Sequence, residues 1–386
     1  MKKIKILFII GFAIMISMVV TSTVKINAAD AIIQNAKSGI AIEKDTGKIL
    51  YAYDENTIRF PASTTKIMTL KLIFDAIKNK KLSLDQTLVT SEYAASMGGS
   101  QIYLSPKEEM KVSDLLKAVV IASANDAAVV LAEAVAGTEA NFVKLMNDEA
   151  AKLGLKNTSF KNATGLHDDN HYTTAHDLAF IARNLLIHYE DEIIPLSSTY
   201  EAYLRQNTDN PFWLVNTNKL IKGNNGIDGL KTGWTHQAGY CLVATKKENG
   251  MRVITVVMGA ENVEKRSADT MALMNYAYAN YDKQLISPKG SIVETKEDLL
   301  YNPSIYNIVL SQDISRIIKK NDTGGVVTYE MVLDKEKLNN PNAKTIGKLK
   351  VYIDNKLYTE VDLELREKVK KNNFFELFFS VLENIF

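Results

Sequence analysis

A single cysteine, Cys241, leaves this 386-residue chain with no possible intrachain disulfide. Zinc spacing is missing as well. His167, His171 and His176 fall close together, but Asp168, Asp169 and Asn170 lie among them and the stretch reads as a polar loop. No metal and no organic cofactor is expected. Charge of one sign is not in excess either: 46 basic residues face 45 acidic ones, a net of +1, so no global field recruits nucleic acid and ligand selectivity must be local. There is no repeat of fixed period and no low-complexity tract.

What is present begins at the N-terminus. Lys2, Lys3 and Lys5 precede an apolar run from Ile6 to Val20, and Ala28 and Ala29 follow a short polar spacer. That is the pattern of a secretory signal over residues 1–29. The run is short for the ~30 Å hydrocarbon layer, so a cleaved signal is expected over an anchor, with the remainder working outside the cytoplasmic membrane. A hydrophobic content of 46% supplies a core without disulfides.

After the signal, GIAIEKDTGKILYAYD (39–54) reads as a β-hairpin around Asp45-Thr46-Gly47. A helix holding PASTTKIMTL (61–70) follows it. Next, VSDLLKAVVIASANDAAVVLAEAVAG (112–137) is apolar nearly all round, a buried helical segment interrupted by Ser123-Ala124-Asn125. GYCLVATKK and MRVITVVMG, joined by Glu248-Asn249-Gly250, form a second hairpin. Strands at both ends with helices between predict an α+β fold, an antiparallel sheet covered by helices, over residues 30–285. Alternating runs such as GKLKVYIDNKLYTEVDLEL predict a small β-rich domain over 286–366. The tail, 367–386, predicts an amphipathic helix with Asn373, Glu376, Ser380, Glu383 and Asn384 on one narrow polar face. From Phe374 to the end it reaches only about 20 Å, too short to span a bilayer. With Lys368, Lys370 and Lys371 toward headgroups it can lie on a membrane surface; docking on the β domain or on a partner is the other reading.

Ser63 and Lys66 stand one helical turn apart, so a lysine amine can reach the serine hydroxyl. The spacing alone is weak, since Ser22 and Lys25 share it in the signal region. A serine nucleophile needs a base within hydrogen-bond reach and fixed donors for an oxyanion. A lysine base must be neutral, which requires burial or a second cation. Ser123-Ala124-Asn125 and Lys231-Thr232-Gly233 are the only Ser-x-Asn and Lys-Thr-Gly in the chain. In this order the three motifs match the signature of penicillin-binding proteins and serine β-lactamases.

PASTTKIMT, GSQIYLSPKEEMKVSDLLKAVVIASANDAA, NATGLHDDNHYTTAHDLA and GIDGLKTGWT together resemble D-alanyl-D-alanine carboxypeptidases of the penicillin-binding protein 5 type, over roughly residues 35–285. The resemblance implies that Ser63 attacks the carbonyl between two terminal D-alanines of a peptidoglycan stem peptide and that Lys66 takes its proton. It further implies that Ser123 relays a proton to the leaving amine and that Asn125 binds the substrate amide. Lys231 would keep Lys66 neutral and attract the substrate, Thr232 would contact its carboxylate, and Gly233 would allow close approach. The oxyanion would sit between the N–H groups of Ser63 and Trp234, a position where relatives often carry another residue. Arg266 matches a family arginine that assists with the carboxylate; a solvated surface charge is its other reading. β-Lactams would acylate Ser63. No Glu-x-x-x-Asn lies between Asn125 and Lys231, which counts against a dedicated β-lactamase. A DD-endopeptidase, a transpeptidase and a non-catalytic muropeptide-binding scaffold remain alternatives, and oligomeric state is not legible. His176 and Asp177 are expected to cap the helix that follows them.

Overall fold

The computed structural model describes residues 32–385 apart from 207, 339, 341 and 342; the expected signal segment lies outside them. The first hairpin forms as β1 (Ser38–Glu43) and β2 (Ile49–Tyr53). A short 3-10 turn, Ala62–Thr65, leads into α1 (Lys66–Lys78). The apolar stretch becomes α2 (Val112–Ile121) and α3 (Asn125–Ala136), broken at Ser123, whose φ of 64° takes it out of helical geometry. Helices α4 (Glu139–Lys152) and α5 (Ala175–Ser197) follow. Thr174 caps α5 by accepting from the Asp177 N–H. The expected capping by His176 and Asp177 is thereby corrected. Asp177 instead points back to accept from Asn157 N and Thr158 Oγ1.

A small hairpin, β3 (Glu201–Leu204) and β4 (Phe212–Val215), precedes the three long strands β5 (Ile227–Thr235), β6 (Gly239–Glu248) and β7 (Met251–Ala260). Asn249 and Gly250, both at positive φ, make the two-residue turn between β6 and β7. The antiparallel sheet has the order β2-β1-β7-β6-β5, so β1 and β7, far apart in sequence, are neighbours at its centre. Alternation sorts their side chains. Ile40, Ile42, Ile254, Val256 and Met258 face the body formed by α1 to α5. Ala41, Val253 and Val257 face Leu273, Met274 and Ala277 of α6 (Val263–Asn280). Burial on both faces explains why MRVITVVMGA is apolar at nearly every position.

The C-terminal part has its own core around Tyr306, Ile308, Leu349, Val351, Val361 and Leu363. Strands β8 (Tyr281–Ser287), β9 (Ile292–Glu297), β10 (Ile305–Leu310), β11 (Ile314–Lys319), β12 (Val327–Leu333), β13 (Gly347–Ile353) and β14 (Lys356–Leu365) build it. A five-stranded sheet runs β9-β10-β14-β13-β12, with β8 and β11 paired separately. Tyr281 and Ile317 pack with α6 in the core of the N-terminal part, so β8 and β11 stitch the two parts together. The tail forms α7 (Phe374–Ile385), opened by a reciprocal box in which Asn373 and Glu376 each accept the other's N–H. Phe374, Phe375, Phe378 and Phe379 are exposed and therefore not docked on the β domain. No helix among the described residues is long and apolar enough to cross a membrane.

Candidate active site

Ser63 lies in the 3-10 turn and Lys66 opens α1, so the i and i+3 side chains nearly eclipse. Lys66 is fully buried. Its Nζ stands 3.2 Å from Ser63 Oγ, 2.6 Å from Asn125 Oδ1 and 2.7 Å from the Thr164 carbonyl. Burial, reinforced by the positive charge of Lys231, holds its pKa well below the ordinary lysine value; Asp126 opposes that shift. A neutral amine has two N–H groups and one lone pair. Asn125 Oδ1 and the Thr164 carbonyl can only accept, so they take both hydrogens, and the lone pair is left facing the Ser63 hydroxyl.

The two glycines beside this turn are spatial necessities. A Cβ on Gly165, at φ +83°, would come within 1.9 Å of the Ala62 carbonyl oxygen. One on Gly233 would lie 2.9 Å from Pro61 O and 3.0 Å from Ser63 N and Thr64 N. The glycine of Lys-Thr-Gly thus lets β5 lie against the Ser63 turn itself, in addition to any approach of substrate. Thr65 Oγ1 meets His171 Nε2 at 2.8 Å, and His171 Nδ1 accepts from Lys161 N, so the imidazole is neutral with its proton on Nε2. Burial pushes its pKa down to about 4. His171 is therefore an internal strut that ends the expected polar loop, whose residues 167–170 are exposed.

Ser123 Oγ is buried with no hydrogen-bond partner among the described residues. Asn125 is committed inward: Oδ1 accepts from Lys66, Nδ2 donates to Gly98 O, and its backbone N–H donates to Ser100 O. One amide hydrogen is left for a substrate. Asp126 accepts from Ile102 N and Leu104 N and so ties the 98–104 loop to this corner.

Lys231 is buried with Nζ donating to the Thr232 carbonyl, and burial with the nearby Arg266 lowers its pKa to about 7. Arg266, on α6, is only 3% exposed. Its Nε and Nη2 have no partner among the described residues, so it is not a solvated surface charge. Neither cation forms an ion pair with a described carboxylate. Two buried, uncompensated cations make a local field suited to a carboxylate ligand. Thr232 Oγ1 lies 2.7 Å from Thr217 Oγ1. Trp234, the next residue but one, is 55% exposed beside Tyr240 and His236.

The three motifs are thus brought to one corner. Thr164, Gly165 and Thr217 were not singled out from the sequence, and His171 stood there only among the histidines of a polar loop. Gly165 alone carried a signal, a glycine in a polar turn; a backbone carbonyl such as that of Thr164 leaves none.

Comparison with known proteins supplies independent findings. Residues 23–262 match the family model described as D-alanyl-D-alanine carboxypeptidase (peptidase S11), and residues 281–371 match the C-terminal domain of penicillin-binding protein 5. The D-alanyl-D-alanine carboxypeptidase DacF of Bacillus subtilis (strain 168) is 42% identical over 341 residues, 88% of this chain and 87% of its own. The structure of penicillin-binding protein 5 from Haemophilus influenzae superposes with a TM-score of 0.69 at 28% identity, covering 88% of this chain and 98% of that one. Penicillin-binding protein D2 from Listeria monocytogenes in its ampicillin-bound form is 34% identical, with a TM-score of 0.57, over 63% of this chain and 97% of that one.

Proposed function

The chain belongs to the peptidase S11 family of D-alanyl-D-alanine carboxypeptidases, and from that premise we propose how its own residues perform the reaction. Ser63 Oγ attacks the carbonyl carbon of the penultimate D-alanine while its proton passes to the Lys66 lone pair. The oxyanion is held by the N–H groups of Ser63 and Trp234. The C–N bond then breaks as the leaving amine takes a proton from Lys66 by way of Ser123, releasing D-alanine and leaving an ester on Ser63. Water, deprotonated by Lys66, hydrolyses that ester and restores the serine. Lys231, Thr232 and Arg266 receive the terminal carboxylate, and the free amide hydrogen of Asn125 meets the substrate backbone. β-Lactams acylate the same hydroxyl.

One observation carries the reading: both N–H groups of a neutral Lys66 are claimed by Asn125 Oδ1 and the Thr164 carbonyl, which leaves its lone pair for Ser63. The buried, uncompensated Lys231 and Arg266 favour a substrate ending in a carboxylate over an internal cross-link. Family members act on peptidoglycan outside the cytoplasm. For this chain we add export by residues 1–29 and attachment to the membrane surface through the exposed phenylalanines of α7. The test is mass spectrometry after incubation with a penicillin and, separately, with a pentapeptide ending in D-Ala-D-Ala. An adduct on Ser63, absent in Ser63→Ala, with release of one D-alanine is expected. An adduct without alanine release would replace this reading with an endopeptidase, a transpeptidase or a muropeptide-binding role, and no adduct would remove Ser63 as nucleophile.

A further inference from the structure

Thr217 lies outside the three motifs, yet it contacts Lys-Thr-Gly directly and the helix end just before Ser-x-Asn. Its N–H donates to the carbonyl of Ile121, two residues before Ser123. Its hydroxyl meets that of Thr232 at 2.7 Å. Both neighbours are side-chain anchors. Asn216 Nδ2 donates to the carbonyls of Ser197 and Thr199, at 3.0 and 2.9 Å. Asn218 donates its N–H to Asn216 Oδ1 and its Nδ2 to the Gly229 carbonyl at the start of the strand that carries Lys231. The Asn216-Thr217-Asn218 segment therefore ties the end of α2, the end of α5 and β5 to one another, with a single hydroxyl facing the Lys-Thr-Gly strand.

A hydroxyl has one proton and two lone pairs. Thr232 cannot donate to Thr217 and to a substrate carboxylate at once. A hydrogen bond to a charged oxygen is the stronger, so a bound carboxylate takes the Thr232 proton. Thr217 must then turn from acceptor to donor, and its O–H dipole polarises the Thr232 hydroxyl toward the anion. We propose that Thr217 is a positioning residue for carboxylate recognition: it aims and polarises the Thr232 hydroxyl, and so sets the preference for substrates with a free C-terminal carboxylate. This inference rests on the reading of Thr232 as a carboxylate contact.

The experiment compares two thioesters of one acyl-D-alanine, the first with a leaving group ending in a free carboxylate and the second with that carboxylate as its methyl ester. Wild type, Thr217→Val and Thr217→Ser are assayed with both. In Thr217→Val, kcat/KM for the free acid is expected to fall by roughly tenfold, the lower end of a charge-assisted hydrogen bond, while the methyl ester changes by less than about threefold. Thr217→Ser restores the difference. An equal fall for both thioesters would reduce Thr217 to a structural residue, and no fall for either would also overturn the proposal. If wild type itself does not favour the free acid, the carboxylate reading of Thr232 fails first. Penicillin labelling of Ser63 in each variant reports that the site is folded and reactive, independently of the ratio.

Discussion

Asn125 Oδ1 stands 2.6 Å from Lys66 Nζ, closer than the 3.2 Å that separates the amine from Ser63 Oγ. The asparagine of Ser-x-Asn is thus a direct partner of the proposed base, and being uncharged it orients the amine without holding its proton. Asn125→Asp would put a carboxylate in that place and stabilise the protonated amine. Acylation by penicillin at neutral pH is expected to fall by at least about 100-fold, the scale of a lost general base. Its rate would recover toward higher pH. A variant acylating at the wild-type rate at pH 7 would remove Lys66 as the base.

The two lysines give opposite pH limbs. Lys66 must be neutral, and burial with the charge of Lys231 holds its pKa well below the usual lysine value, so kcat/KM rises with pH as Lys66 loses its proton, on a limb below the ordinary lysine range. Lys231 must be charged to attract a carboxylate, and its pKa in the free protein is about 7, so kcat/KM falls again above that pH. Because the two interact, the limbs belong to the pair. A bound carboxylate favours charged Lys231, which moves the descending limb of kcat to higher pH than that of kcat/KM. Steady-state kinetics across pH 4 to 10 tests this; superimposable descending limbs would remove Lys231 from carboxylate binding.

Gly165 and Gly233 differ in how much room they lack. Gly165→Ala meets the Ala62 carbonyl and also forces a left-handed φ on a residue with a Cβ. A stability loss of about 3 kcal/mol or more, with little penicillin labelling, is expected. Gly233→Ala brings contacts of 2.9 to 3.0 Å and no such φ, so it should fold better and show its defect mainly in acylation. Chemical denaturation alongside labelling separates the two, and equal stability losses would contradict the geometry.

His171 makes the fold acid-sensitive. Its folded pKa of about 4 lies below the ordinary 6.5, so the unfolded chain binds the extra proton first. The stabilisation is complete above about pH 6.5 and is lost as pH falls toward 4, with an upper size of roughly 3 kcal/mol. His171→Gln keeps a donor near Thr65 without the titration. Its unfolding free energy should vary less between pH 6.5 and 4 than that of wild type; an unchanged slope would assign the acid loss elsewhere.

Deletion of residues 372–386 removes the exposed phenylalanines of α7 and no residue of the site. The shortened protein is expected in the soluble fraction with its activity intact. If it stays with the membrane, the attachment lies elsewhere in the chain.

Local pattern made much of this protein legible. The β1–β2 and β6–β7 hairpins follow from turn residues between apolar runs, and the break at Ser123 from polar residues inside a buried helix. Ser63, Lys66, Ser123, Asn125 and the Lys231-Thr232-Gly233 run are recognisable because each motif is short and contiguous, and a spacing of three residues carries its own geometry on a helix. Composition likewise marks the second, β-rich part, since alternation survives in strands such as GKLKVYI. Domain edges are less sharp, because β8 pairs with β11 while packing on α6.

Tertiary structure alone decided what those residues do to one another. That the pKa of Lys66 is lowered depends on burial by segments more than fifty residues away and on the charge of Lys231, neither of which has a local signature. That Arg266 is buried and uncompensated depends on how α6 packs on the sheet. The second contact of Lys66 is a backbone carbonyl, Thr164, and every residue has one. Sequence names the chemical groups, whereas their protonation and aim are set by dielectric and distance, which exist only once the chain has closed around them.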